Sequence, residues 1–129
     1  MEKYELGINK KSFSLYFGGG EIWCEHLDSL CDRKDLFFEK FDNDLKTIKR
    51  PSASSYLAVI VDETDIDREM IDYLLDTFIS LDKPLKKIAF IGLDNKWNKY
   101  INKKNKGTYI LMKSISDLEE AKNWLIDNR

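Results

Sequence analysis

The apolar and polar positions change period several times along the chain, and each change marks an element. Phe13, Leu15 and Phe17 alternate with Ser12, Ser14 and Tyr16, the period-2 pattern of a half-buried strand. Gly18-Gly19-Gly20 then supplies residues free to take positive φ, as a tight hairpin turn demands. Glu21 to His26, with Ile22, Cys24 and the following Leu27, forms the other arm. From about Asp35 the spacing turns helical, with Phe37, Phe38, Phe41, Leu45 and Ile48 on one stripe, until Pro51 ends it. The Ser-rich stretch after Pro51 is too short for a domain linker and reads as a loop.

The remainder alternates regularly. Leu57 to Val61 is a continuous apolar run, β-branched at its end, which suits a strand buried on both faces. Ile66, Met70, Ile71, Leu74, Leu75, Phe78 and Ile79 recur at helical spacing and stop before Asp82-Lys83-Pro84. Ile88 to Ile91 is a second buried strand, closed by Gly92, and a short helix follows with Trp97, Tyr100 and Ile101 on one side. Tyr109 to Met112 predicts a third. Ser116, with Glu119 three residues on, has the form of a capping box opening a last helix, whose inner side is Leu118, Ala121, Trp124 and Leu125.

Strand and helix in strict alternation imply right-handed crossovers and parallel pairing. The expectation is therefore an α/β domain with a mostly parallel central sheet, an N-terminal antiparallel hairpin and about four helices. At 129 residues it occupies the chain, 1–129, as a single domain large enough to need no disulfide or structural metal.

In such sheets the functional surface lies beyond the carboxyl ends of the strands. Those ends carry Asp62, Glu63, Thr64 and Asp65 after one strand, then Gly92, Leu93, Asp94, Asn95 and Lys96 after the next. The order of elements, closing on Glu119-Glu120-Ala121-Lys122-Asn123-Trp124-Leu125, resembles the STAS or SpoIIAA-like domains of anti-sigma-factor antagonists. The resemblance implies a STAS-like fold and a regulatory protein-binding role without catalysis. In that family the motif Asp-Ser-Ser/Thr-Gly-Leu follows a central strand, and its hydroxyl accepts phosphate. Here the matching positions are Asp62, Glu63, Thr64, Asp65 and Ile66, so the first Asp and the hydroxyl are kept while Glu63 and Asp65 depart from the pattern. Thr64 is accordingly expected as a phosphoacceptor or a helix cap, with the cap favoured. Residues 62–76 already hold seven acids against Arg68, and a phosphate of about −1.5 to −2 would meet like charge. Asp62, Glu63, Asp65, Ile66 and Asp67 form the expected partner-binding turn.

Charge and cysteines narrow the classes further. With 21 basic and 23 acidic residues the net charge is −2, which removes the electrostatic case for a specific nucleic-acid binder. Eight lysines in residues 83–106 against Asp94 make a basic run, read as the solvated side of a helix; peripheral contact with an anionic membrane stays open as its use. The acidic run is read as dipole-stabilising carboxylates, not a cation site, because no glycine within it supplies a sharp loop turn. Cys24, His26 and Cys31 match no zinc-finger spacing, and no base or oxyanion donor accompanies them as nucleophiles. No metal, cofactor or catalytic residue is therefore expected. A charged start without a signal-peptide core and two cysteines predict reduced thiols in the cytoplasm. The partner classes left are another protein and, as the alternative, a small apolar or lipid-like ligand, which SpoIIAA-like proteins have been thought to hold.

Overall fold

The computed structural model describes residues 9–127. The chain opens with a two-stranded arm, β1 (Phe13–Phe17) and β2 (Gly20–His26), antiparallel with Phe17 opposite Gly20. Gly18 (φ 56°) and Gly19 (φ 84°) are the two turn residues, both in the left-handed region that matches the twist of the arms. Gly20 belongs to β2 instead of the turn. The order continues α1 (Lys34–Ile48), β3 (Tyr56–Ile60), α2 (Arg68–Ile79), β4 (Lys87–Ile91), a single 3₁₀ turn (Asn95–Trp97), α3 (Asn98–Lys104), β5 (Leu111–Ile115) and α4 (Leu118–Ile126).

The sheet runs β1-β2-β3-β4-β5, with every neighbour pair after the hairpin parallel. This is the expected α/β architecture. Each crossover steps one strand in the same direction, so right-handed connections put α1, α2 and α3 on one face. That face is a core of Phe37, Phe41, Ile71, Leu74 and Phe78 over Leu57, Val59, Ile88 and Phe90. Full burial of one such side chain contributes roughly 1.5–3 kcal/mol. On the other face α4 alone lays Ala121, Leu125 and Ile126 across Ile22, Cys24, Ala58, Ile60 and Ala89. Alanines at Ala58 and Ala89 lie beneath this helix. Among the described residues no helix is long and apolar enough to cross a membrane.

Three local expectations shift. β5 starts at Leu111, not Tyr109, which is 100% exposed in the preceding loop. Pairing decides this, since the ladder with β4 runs from Lys87↔Leu111 to Ile91↔Ile115. The N-cap of α4 is Asp117, whose carboxylate accepts from Glu120 N at 2.8 Å, while the Ser116 hydroxyl turns to the Glu120 side chain. Likewise Thr64 is not the cap of α2. Asp67 has the extended backbone of an N-cap and accepts from Met70 N at 2.9 Å. A carboxylate is the stronger acceptor toward the positive helix end.

Candidate functional site

Among the described residues the strand order never reverses, so they form no switch-point crevice. The carboxyl ends of β2 and β3 instead carry two loops, 27–33 and 61–67, stitched into one layer. Ser29 N donates to Asp62 O (2.7 Å), Cys31 N to Glu63 O (2.9 Å) and Asp65 N to Cys31 O (2.8 Å). Thr64 completes the seam. Its hydroxyl donates to Leu27 O at 2.6 Å and accepts from Leu30 N at 3.1 Å, and a parallel bridge links Thr64 to Cys31. Leu27 and Leu30 are fully buried, so these backbone groups have no water to turn to. Thr64 is a clamp between loops, with both sides of its hydroxyl occupied.

Three non-glycine residues of these loops adopt left-handed φ: Ser29 (58°), Cys31 (54°) and Glu63 (59°). Each is an uncommon conformation for a residue with a Cβ and persists because its surroundings hold it. The result is a rigid rim that turns Asp62, Glu63 and Asp65 outward, all exposed, while Ile66 packs partly onto the core. Asp67 is exposed but engaged, through Met70 N and through Lys34, whose ammonium lies 2.8 Å away and holds the carboxyl below its usual range. Lys34 also pairs with Glu69, tying the start of α1 to the start of α2.

The neighbouring loop abuts this rim. A Cβ on Gly92 (φ 84°) would fall 2.1 Å from Asp62 Oδ1 and 2.8 Å from its backbone nitrogen, so only glycine permits the approach. Asp94 caps the 3₁₀ turn by accepting from Lys96 N at 2.9 Å, and Lys96 lies 5.8 Å from the Trp97 ring centre. Gly92, Asp94 and Asn95 line an open depression of about 450 Å³ with Ser114 and Ser116. The structure thus brings Asp62, Glu63, Asp65 and Gly92 together, with Asp94, Asn95 and Lys96 alongside.

His26 and the cysteines part company. Cys24 is fully buried under α4, and burial raises its thiol pKa. His26 Nδ1 lies 2.9 Å from Asp28 Oδ1, and Lys10 reaches Asp28 Oδ2 at 2.8 Å. Burial opposes the ionised Asp28, yet the His26 and Lys10 hydrogen bonds prevail and hold its pKa at about 2. Among the described residues no group of three or more His, Cys, Asp or Glu is placed to hold a metal. The two charge runs also meet each other: Lys104 of α3 lies 2.7 Å from Asp76 and 3.6 Å from Asp72 of α2. Tyr100 donates to Asp72, and the Arg68 guanidinium lies over the Tyr100 ring. Lys104 is thus where the two runs neutralise each other directly.

One cluster escapes a reading by motif. Glu25 is fully buried between β2 and α1, accepting from Trp23 Nε1 at 2.9 Å, and its Oε2 has no hydrogen-bond partner. Lys40, also buried, contacts Asp44 and Ser12 at 3.3 Å, and Ser12 donates to Asp44 at 2.7 Å. Burial first, then the Asp44 carboxylate, push the Glu25 pKa up to about 9 against the pull of Trp23 and Lys40. At neutral pH Glu25 is a neutral acid beside a Lys40–Asp44 pair. The signal lay in strand parity, which puts Glu25 on the same inward side as Trp23 and Leu27.

The chain matches no protein-family model, no curated protein and no solved structure.

Proposed function

We propose that the protein is a non-catalytic, STAS-like regulatory module that binds a protein partner through the acidic rim of Asp62, Glu63, Asp65, Ile66 and Asp67. The observation that carries this reading is the clamped double loop, in which strained backbone and the Thr64 hydroxyl hold exposed carboxylates in one arrangement. A preformed acidic surface loses little conformational entropy on binding and selects a partner with a complementary basic patch. In this reading Thr64 acts as an architectural residue, because a phosphate on its oxygen would displace the bond to Leu27 O. The experiment is affinity capture from the source cells with wild type and with a Glu63→Ser, Asp65→Gly variant. Loss of a specific captured protein with the variant, its fold intact, is the expected result. An identical set of captured proteins with both would overturn the assignment to this rim.

A carrier of a small apolar or lipid-like molecule is the second reading. It is favoured by an open groove of about 720 Å³ beside α4, lined in part by Phe17, Ile115, Trp124 and Ile126. Native mass spectrometry of protein from its own host separates the two. A non-covalent adduct lost on denaturation supports the carrier, and a bare mass supports the protein-binding module.

A further inference from the structure

The two edges of the sheet are treated differently. β5 carries Lys113 outward, the kind of charge that discourages pairing with another strand. β1 pairs only with β2 among the described residues and reads Phe-Ser-Leu-Tyr-Phe, with no charge and no proline. Phe13 is 44% and Tyr16 77% exposed along it. In a two-residue hairpin the closing pair, Phe17 and Gly20, exchanges both hydrogen bonds, and the bonded pairs then alternate. Phe17, Leu15 and Phe13 therefore direct their backbone groups to β2. Ser14 and Tyr16 direct theirs outward.

We propose that β1 is a self-association edge, on which a second copy of this chain adds its own β1 antiparallel about a two-fold axis at Leu15. The sequence is close to self-complementary under that operation. Phe13 meets Phe17 of the second copy and Leu15 meets Leu15, while Ser14 and Tyr16 exchange the outward hydrogen bonds. The aromatic pairs lie on the α4 side, where Leu15 and Phe17 already pack partly on the core. The register sets exposed Lys11 of each copy beside the uncharged Gly18–Gly19 turn of the other, so no like charges face each other across the seam. The two five-strand sheets become one of ten strands, and the acidic rims stay free at the carboxyl ends. Five residues make a short contact, at the low end of stable interface sizes, so the dimer forms with rising protein concentration.

Sedimentation velocity of the full chain from about 1 to 300 µM is the test, spanning the affinities of weak interfaces. The expected result is a monomer–dimer shift across that range. Tyr16→Pro removes an outward N–H without touching the β2 ladder, and it should leave a monomer with an unchanged melt. Independently, in a Cys31→Ser background, Leu15→Cys should form a disulfide-linked dimer under mild oxidation, since facing residues of a non-bonded pair lie about 4.5 Å apart. Ser14→Cys should not. A monomer at every concentration, a dimer that survives Tyr16→Pro in folded protein, or equal cross-linking through Ser14→Cys would each overturn the proposal.

Discussion

Replacing Glu25 with Gln should stabilise the protein in a pH-dependent way. Below pH 4.5, the ordinary value for a glutamate, the carboxyl is protonated in both folded and unfolded chains and burial carries no ionisation penalty. Between there and about 9 the unfolded chain releases a proton that the folded chain keeps. Stability then falls by about 1.4 kcal/mol for each pH unit, which amounts to about 3 kcal/mol by pH 7. Glutamine removes the titration and keeps the observed contact, since its carbonyl can accept from Trp23 Nε1 while its amide, a donor, faces the Asp44 carboxylate that disfavours a second negative charge there. Urea denaturation followed by tryptophan fluorescence, at pH 4.5 and 7, gives the unfolding free energy of both proteins. The variant should gain about 3 kcal/mol on wild type between the two pH values, other titrating groups cancelling in the difference. Parallel stability curves for the two proteins would refute the reasoning, because they would mean that Glu25 ionises in the folded state as readily as in water.

Thr64→Val leaves Leu27 O and Leu30 N buried without a partner and should cost about 2 kcal/mol in chemical denaturation, with Thr64→Ser recovering most of it. Gly92→Ala combines a left-handed φ with a Cβ clash against Asp62, backbone included, and should cost more than about 2 kcal/mol. Because part of that clash is with backbone, the Asp62→Gly, Gly92→Ala double variant should regain only a fraction, as read from thermal melts. Asp28→Asn should lose about 1 kcal/mol at pH 7, allowing for solvent screening at the rim. Its carboxyl pKa is depressed to about 2, so the wild-type advantage is complete above the ordinary pKa of 3.8 and disappears as pH falls through 2, which acid titration by circular dichroism would follow.

How much of this was legible in the sequence depends on the range of the interaction. The hairpin, the buried runs of β3 and β4, and the stripes of α1 and α2 are written in windows of about ten residues, through period and turn chemistry. Composition and alternation alone therefore determine an α/β domain whose carboxyl-end loops are acidic. The boundaries of β5 escaped that reading because its ladder with β4, across more than twenty residues, sets where pairing begins. Thr64 looked like a cap beside its own helix, yet its hydroxyl serves Leu27 and Leu30, 37 and 34 residues away. The same holds for Glu25, whose pKa is raised first by burial and then by Asp44 of α1, and for Gly92, which is required by the approach of Asp62. Local periodicity decides which elements form, because it concerns a segment's own burial. Only the packed sheet decides which polar groups lose water together, and that loss determines the roles of Thr64 and Glu25.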